Sequence, residues 1–249
     1  MCTLVILRRP QSKWPVLVAA NRDEMAGRPW KAPGHHWPDR PEIVAGMDEL
    51  AEGSWLGVNH IGVVAAILNR VGTLGPQAGK RSRGELVLEA LDHNDAVDAA
   101  EALAHLDGRA YRPFNMVVAD NRDAYWIRAD GSAKVQMRPM AEGLHIITAL
   151  DLDDPASPRV AAYAPHFAAA AVPDPDASDW AAWTRLMADT GAGADGEEVA
   201  AMCFTRADGF GTVSSSLIAL PEMGADHPPQ WLFAPGRPDR TPYEPVIFP

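Results

Sequence analysis

Residues 2–7 read CTLVIL, and residues 16–24 read VLVAANRDE. Each segment contains a run of apolar residues, and the residues between the two runs form a short, mostly polar connection. Two apolar, β-branched runs separated by such a connection predict a β-hairpin. Because the strands of a hairpin run in opposite directions, we expect the polar residues 21–24 to lie beside Cys2, at the open end of the hairpin.

Cys2 follows Met1 directly, and its small side chain favours removal of the initiator methionine. Removal would leave Cys2 with a free α-amino group of pKa about 7.7 to 8.0 beside a thiol of pKa about 8.5. The thiol could then attack a carbonyl carbon while the amine accepts the proton, as in an N-terminal nucleophile hydrolase. The alternative is a small core residue in an apolar strand, which is the commoner role of a cysteine in this setting.

Composition indicates one enzyme-sized unit. The chain has 249 residues, of which 47% are hydrophobic, and this is enough to bury a substantial core. No linker divides the sequence, so we treat residues 1–249 as a single domain. A formal net charge of −11 argues against nucleic acid or an anionic membrane surface as the main partner.

The cysteines and the apolar runs bear on the location of the protein. Cys2 and Cys203 are the only cysteines in the sequence, and neither is spaced with histidines as metal ligands are. We therefore expect no disulfide framework and no metal site. No segment approaches the roughly 20 consecutive apolar residues of a membrane span. These features predict a soluble, cytoplasmic protein.

Strands and helices are predicted in separate blocks. Residues 25–42 are rich in glycine and proline and predict a loop, in which His35 and His36 could bind metal or haem but are more typical of surface residues. The four strands predicted between residues 114 and 148 indicate a second antiparallel sheet. The other predicted strands lie within residues 43–69, 211–220 and 231–234, and the predicted helices start near Ser82, at Asn94 and at Ser157, with two more within residues 177–204.

A basic segment precedes the first predicted helix. Ser82 and Glu85 fit the Ser-x-x-Glu capping box, and Lys80, Arg81 and Arg83 surround this helix N-terminus. Free backbone N–H groups and cationic side chains together suit a phosphate or a carboxylate. The segment therefore predicts a small-molecule ligand that is anionic or amphipathic. The alternative is a group of solvated basic residues.

Short motifs spread over nearly the whole chain resemble one family. Met1-Cys2-Thr3 and Asn21-Arg22-Asp23-Glu24 resemble the start and the namesake motif of the NRDE (Asn-Arg-Asp-Glu) family, which is related to transport and Golgi organisation proteins. Further segments that fit the family pattern are residues 55–58, 68–69, 83–86, 114–115 and 211–212. A more distant resemblance is to the bile-salt hydrolase and penicillin V acylase group, whose members begin Met-Cys and are N-terminal nucleophile hydrolases.

The resemblance implies an α+β fold, a four-layer αββα sandwich of two mostly antiparallel sheets. It also implies that Asn69, at the end of a strand, helps to hold an oxyanion, although its turn preference alone would explain an asparagine there. Asp23 could orient the α-amino group, and Arg22 or Asn21 could bind a substrate carbonyl or carboxylate. The predicted catalytic residues are Cys2, Asp23, Asn21 and Asn69, and the predicted ligand-binding residues are Arg22, Glu24, Trp55 and Arg83.

Three positions depart from the hydrolase pattern. Ala20 stands where that pattern has an arginine, Ala149 where it has an amide donor, and Val213 where a Gly-Thr-Arg motif has its arginine. Two functions therefore stay open. One is hydrolysis of an amide or thioester through Cys2. The other, implied by the family resemblance, is non-catalytic binding or trafficking of haem or of acyl-coenzyme A and lipid. Neither requires a cofactor, and haem would be a ligand.

Overall fold

The computed structural model describes residues 2–191 and 200–248. The strands in this part of the chain are β1 (Thr3–Arg8), β2 (Val16–Met25), β3 (Trp30–Gly34), β4 (Ile43–Asp48), β5 (Leu56–Asn59), β6 (Val64–Asn69), β7 (Phe114–Ala119), β8 (Ala124–Ala129), β9 (Gln136–Pro139), β10 (Gly143–Ile147), β11 (Phe210–Leu220), β12 (Gln230–Ala234) and β13 (Glu244–Pro245). The α-helices are α1 (Glu85–Leu91), α2 (Ala96–Ala104), α3 (Pro158–Ala169) and α4 (Ala181–Met187), and Gly108–Ala110 form a 3₁₀ turn.

The described strands form two antiparallel sheets. The first has the order β10-β1-β2-β11-β12-β13, and the second has the order β3-β4-β5-β6-β7-β8-β9. The predicted hairpin is confirmed, because β1 and β2 pair with Thr3 opposite Asn21. On its other side β2 pairs with β11 along its whole length. The sequence suggested that residues 21–24 follow the end of the second strand. In the structure they lie inside β2, which is a central strand of its sheet.

The two sheets pack face to face over an apolar core. Alternate residues of the strands point between the sheets, among them Leu4 and Ile6 of β1, Val58 of β5 and Trp126 of β8. Helices α1 and α2 cover the outer face of the second sheet, and α3 and α4 cover the outer face of the first. The α+β class and the four-layer αββα arrangement are confirmed.

The prediction that residues 114–148 form a second sheet of their own is wrong. Strands β7, β8 and β9 continue the meander that starts at β3, whereas β10 pairs with β1 in the other sheet, with Leu4 opposite Ile147. Alternation of apolar residues shows which face of a strand is buried, but it does not specify the neighbouring strand. Residues 25–42 also differ from the predicted loop, because they contain the edge strand β3.

Two helix starts were close to the prediction. Ser157 caps α3 by accepting a hydrogen bond from the backbone N–H of Val160 at 3.5 Å, as expected for a serine before a proline at the first helical position. Asp95 rather than Asn94 caps α2, accepting a hydrogen bond from the N–H of Asp98 at 2.9 Å. Adjacent Asn and Asp are both good caps, so local sequence alone could not separate them.

The predicted capping box before α1 is wrong. The Ser82 hydroxyl accepts a hydrogen bond from the backbone N–H of Gly84, and α1 begins only at Glu85. The Glu85 carboxylate accepts a hydrogen bond from the Tyr111 hydroxyl at 2.7 Å instead of reaching back to a cap. With seven residues and a glutamate in its first turn, α1 does not provide the helix N-terminal anion site that the sequence suggested.

Residues 177–204 were predicted to hold two helices. Helix α4 confirms the first, whereas the second falls mainly on residues 192–199, which lie outside the described residues, and residues 200–204 are not helical. Among the described residues Cys2 and Cys203 are free thiols, and no cluster of three or more His, Cys, Asp and Glu side chains could hold a metal ion. No described helix is long and apolar enough to cross a membrane.

Gly211 of β11 lies against the backbone of residues 204–205. A Cβ atom there would stand 2.4 Å from the Phe204 carbonyl oxygen and 2.8 Å from the Thr205 Cα. We expect Gly211→Ala to lower the free energy of unfolding by about 1–3 kcal/mol because β11 must shift. Gly27→Ala is the matched control, since a Cβ at Gly27 would meet no atom within 4 Å. Urea denaturation measures both variants, and equal midpoints would contradict the packing described.

Candidate functional site

Cys2 lies at the wall of a cavity of about 330 Å³ between the two sheets. Its Sγ accepts a hydrogen bond from the backbone N–H of Asp23 at 3.3 Å and lies 3.5 Å from the carbonyl oxygen of the same residue, to which the thiol donates. The hairpin register produces this contact, because Cys2 precedes Thr3 and Thr3 pairs with Asn21. The predicted proximity of Cys2 and residues 21–24 is confirmed.

The carboxylate of Asp23 is buried on the outer face of β2, the face that α3 covers. Its Oδ2 accepts a hydrogen bond from Arg159 Nη1 at 2.9 Å, and its Oδ1 accepts one from the Thr212 hydroxyl at 2.8 Å. Arg159 also donates to the Thr3 hydroxyl at 2.7 Å and to the Ala201 carbonyl at 2.8 Å. Helix α3 and strands β1, β2 and β11 therefore meet at one ionic group directly behind Cys2.

Arg22 faces the cavity from the position next to Asp23. Its guanidinium lies over the Trp55 ring, with Cζ 4.3 Å from the ring centroid, and its Nη2 lies 3.3 Å from an oxygen of Asp48. The side chain is 6% exposed, and its Nη1 is buried without a hydrogen-bond partner among the described residues. A buried N–H group without an acceptor is costly, so this donor is suited to bind an acceptor atom of a ligand.

Trp55 can occupy this position because of a glycine. A Cβ atom on Gly46 would lie 2.3 Å from the Trp55 Cζ2 atom, so only glycine leaves room for the ring. The edge of the Trp55 ring meets Trp30, with centroids 5.9 Å apart. Trp55 therefore lines the cavity and contacts the Arg22 guanidinium, and its contact with a ligand stays a prediction.

Glu24 and Asp48 hold the arginines at the cavity wall. Asp48 binds Arg28 through both carboxylate oxygens and also contacts Arg22. Glu24 lies 3.9 Å from Arg22 and 3.7 Å from Arg28, and it accepts a hydrogen bond from the backbone N–H of Met25. We predicted Glu24 as a ligand contact. In the structure it lies beside two arginines of the wall, and its contact with a ligand stays a prediction.

Asn69 and Asn21, both predicted as catalytic, differ in their surroundings. Asn69 lines the cavity at the end of β6, and its side chain makes no hydrogen bond within the described residues. The Asn21 amide donates to the carbonyls of Met187 and Met202, each at 2.9 Å. Both of its N–H groups are therefore engaged on the outer face of β2. These bonds hold β2 in place, and the catalytic role of Asn21 stays a prediction.

The lining of the cavity is cationic although the chain is acidic. Six cationic side chains line it, against three carboxylates. The cations are Arg22, Arg28, Lys80, Arg81, Arg83 and Arg112, and the carboxylates are Asp23, Glu24 and Asp48. The carboxylates Asp23 and Asp48 are engaged with arginines, so the excess positive charge faces the cavity. The predicted preference for an anionic small molecule agrees with this charge.

A second, smaller cavity of about 20 Å³ lies between the sheets behind Cys2. Ala20, Ala66 and Leu68 are among its lining residues. Its size corresponds to about one water molecule or a methyl group. Ala20, which stands where the hydrolase pattern has an arginine, therefore leaves space rather than charge next to the Cys2 thiol.

Sequence reasoning missed Arg159, Asp48 and Arg112. Arg159 lies 136 residues from Asp23 in the sequence. It belongs to an alanine-rich helix, where an arginine is expected to be a solvent-exposed surface residue. Asp48 follows an apolar strand like any turn residue. Thr212 was recorded in the Gly-Thr motif, but its role as a donor to Asp23 depends on the register of β11. Only tertiary structure brings these residues to the site.

Residues 1–221 match the model of a family described as Transport and Golgi organisation 2. The chain belongs to this family. The predicted membership of the NRDE family is thereby confirmed. A comparison with curated protein sequences found no match.

Solved structures of a bile acid hydrolase and of an acid amidase ortholog are similar to this chain in fold. Two variants of the conjugated bile acid hydrolase from Clostridium perfringens align over 100% of this chain and 97% of theirs, at 11% identity, with TM-scores of 0.54 and 0.50. A Caenorhabditis elegans ortholog of N-acylethanolamine-hydrolyzing acid amidase aligns over 100% of both chains at 13% identity, with a TM-score of 0.49. At this identity the bile acid hydrolase structures show a shared fold alone.

The electrostatics of Cys2 provide a direct test of the site. Burial, followed by the charge of Asp23, raises the pKa of the Cys2 thiol, while the Arg22 guanidinium lowers it. We expect Arg22→Gln to raise this pKa further, and each unit lowers the thiolate fraction about tenfold below the pKa. Alkylation of Cys2 by iodoacetamide at pH 8 should therefore slow by roughly two- to tenfold.

Peptide-resolved mass spectrometry measures the alkylation of each cysteine separately. Arg28→Gln is the matched control, because Arg28 pairs with Asp48 and is not among the charges that shift the Cys2 pKa most. Cys203 serves as an internal reference, since burial raises its pKa to about 11. Unchanged or faster alkylation of Cys2 in Arg22→Gln would show that the guanidinium does not control the thiol.

Proposed function

We propose that this protein hydrolyses an amide or thioester bond of an anionic small molecule, with the Cys2 thiol as nucleophile. The observation that supports this most is the position of Cys2, whose sulfur borders a cationic cavity while its backbone neighbours are fixed by the buried Asp23 group. A purely structural cysteine would not need an open cavity on one side. The raised thiol pKa means that the reaction also needs a base.

The proposed base is the α-amino group that Cys2 would carry after removal of Met1. The thiol proton moves to this amine as the sulfur attacks the carbonyl carbon. The ammonium then returns the proton to the leaving nitrogen or sulfur as its bond to the carbonyl carbon breaks, which leaves an acyl thioester on Cys2. Water attacks this thioester, the amine again accepts and returns a proton, and the acid leaves as the thiol is restored.

The oxyanion of each tetrahedral intermediate needs hydrogen-bond donors. Among the donors at the cavity wall that have no acceptor in the described part of the chain are the Asn69 amide and Nη1 of Arg22. We assign the oxyanion to Asn69 and the carbonyl or carboxylate of the substrate to Arg22. Asp23 then acts as a positioning residue, because Arg159 and Thr212 bind its carboxylate oxygens.

The structural neighbours are consistent with this proposal. The similar Clostridium perfringens enzyme is named for hydrolysis of conjugated bile acids, and one of its two structures is of a variant in which a cysteine is replaced with alanine. The small recess behind Cys2 suits a methyl-sized part of the acyl group, so the charged part of the substrate is expected in the larger cavity.

The same cationic cavity would also suit a protein that binds an anionic or amphipathic ligand, such as haem or acyl-coenzyme A, without turnover. A carrier would depend on the arginines and on Trp55, and a cysteine would contribute little to its affinity. This function and hydrolysis therefore differ in their dependence on one sulfur atom.

Replacing Cys2 distinguishes the two functions. We expect Cys2→Ala to lower the turnover of responsive acyl amides or thioesters by at least about 10³-fold, because the nucleophile is lost. Cys203→Ala is the matched control, since Cys203 is buried and donates to Asp239 instead of lining the cavity. The measurement is steady-state hydrolysis over a panel of anionic amides and thioesters. Hydrolysis that persists in Cys2→Ala, or ligand binding with no turnover by the unmodified protein, would favour the carrier.

Asn69 tests the assignment of the oxyanion. Removal of one oxyanion donor typically costs about 10²–10³ in kcat, so we expect Asn69→Ala to lower kcat by that factor with little change in KM. Asn94→Ala, in the turn before α2, controls for the loss of an asparagine away from the cavity. An Asn69→Ala variant that raises KM alone would show that Asn69 binds the ground state of the substrate instead.

A further inference from the structure

Two arginines at the cavity wall have no carboxylate within ion-pair distance among the described residues. They are Arg83, the last residue of the basic segment before α1, and Arg112, which follows the 3₁₀ turn. The other arginines of the wall differ, because Arg22 and Arg28 contact Asp48, and Arg81 contacts Glu85. The uncompensated charge of the cavity is therefore concentrated on the side that carries Arg83 and Arg112.

One backbone carbonyl and one hydroxyl hold Arg83 in place. Its Nη1 donates to the Pro113 carbonyl at 3.0 Å and to the Thr73 hydroxyl at 3.1 Å. Its Nε and Nη2 groups make no hydrogen bond within the described residues. Partial burial, followed by the charge of Arg112, lowers the pKa of Arg83 to about 10. The guanidinium is thus held through Nη1 and keeps the N–H groups of two nitrogens, Nε and Nη2, for a ligand.

Arg112 fixes the loop that closes this side of the cavity. Its Nη1 donates to the carbonyls of Leu74 and Gly75, and its Nη2 donates to the carbonyl of Gly72 at 2.9 Å. Carbonyl oxygens satisfy its hydrogen bonds but do not neutralise its charge. Lys80, which binds the Arg109 carbonyl, adds a third cation to the same wall without a carboxylate within ion-pair distance in the described chain.

We propose that Arg83 and Arg112 form a subsite for a dianionic phosphate group, which belongs to the substrate that Cys2 attacks. A dianion would match the charges of Arg83 and Arg112, whereas a single carboxylate would match only one of the two, and Lys80 adds further positive charge to the same wall. A phosphate also offers three acceptor oxygens, and the planar donor edge of Arg83 binds such oxygens in pairs. That the bound phosphate belongs to the substrate rests on the proposed function. Binding of phosphate at the subsite does not require turnover.

The test measures binding to the Cys2→Ala protein, which removes turnover from the experiment. Isothermal titration calorimetry with inorganic phosphate and with phenyl phosphate gives the affinity at pH 7.5 and pH 5.5. We expect binding to weaken at pH 5.5, because a phosphate monoester has its second pKa at about 6 and the dianion then gains a proton. Inorganic phosphate, which gains this proton at a higher pH, should weaken as well. Arg83 stays charged at both pH values, since its pKa is about 10.

Arg83→Gln should weaken phosphate binding at pH 7.5 by roughly 10- to 100-fold, as expected for a hydrogen-bonded charge. Arg83→Lys should recover only part of the affinity, because lysine keeps the charge without the planar pair of donors. Arg109→Gln is the matched control, since Arg109 is exposed, pairs with Asp107 and does not line the cavity. Circular dichroism checks that each variant is folded.

Several results would overturn the subsite. They are equal affinity in Arg83→Gln and Arg109→Gln, tighter binding of malonate than of phosphate, and affinity that does not change between the two pH values. Binding of inorganic phosphate with exclusion of phenyl phosphate would also overturn it, because the substrate group must be an ester. Hydrolysis of phosphate-free substrates that needs Cys2 and is unchanged in Arg83→Gln would overturn the subsite and leave the proposed function standing.

Discussion

The buried carboxylate of Asp23 is the group on which the geometry of the site depends. Removing an ion from water costs several kcal/mol, and here Arg159 and Thr212 compensate that cost with an ion pair and a hydrogen bond. Since these partners come from α3 and β11, and Arg159 also binds Thr3, one charged group joins three strands and a helix. Cys2 precedes Thr3, so the same network sets the position of the thiol.

The side chains on the two faces of β2 have different roles in the site. Asp23 and Asn21 point outward and hold the strand. Asp23 binds Arg159 there, and Asn21 binds the carbonyls of Met187, at the end of α4, and of Met202. Arg22 points inward, where it stacks on Trp55 and lines the cavity. Alternation along one strand therefore separates structural polar residues from residues that face a ligand, although all of them belong to one continuous motif.

The sequence predicted what depends on local pattern and missed what depends on distant contacts. The β1–β2 hairpin, the start of α3 and the proximity of Cys2 to residues 21–24 follow from apolar runs, a Ser-Pro cap and antiparallel pairing. The pairing of β10 with β1 could not be predicted, because the alternation of apolar residues in a strand does not specify which strand lies beside it. Arg159 was missed because its partner lies 136 residues away. The hydrogen bonds that Asn21 makes on the outer face of β2 could not be predicted, because their acceptors, Met187 and Met202, are distant in the sequence.

The central claim is that the Cys2 sulfur becomes acylated, and peptide mapping of trapped protein tests it most directly. The native protein is incubated with activated acyl esters, quenched in acid to preserve thioesters, and digested. The account predicts an acyl group on Cys2, in molecules that have lost Met1, and an unmodified Cys203. Acylation that is absent from Cys2, or that is equal in molecules that retain Met1, would contradict it.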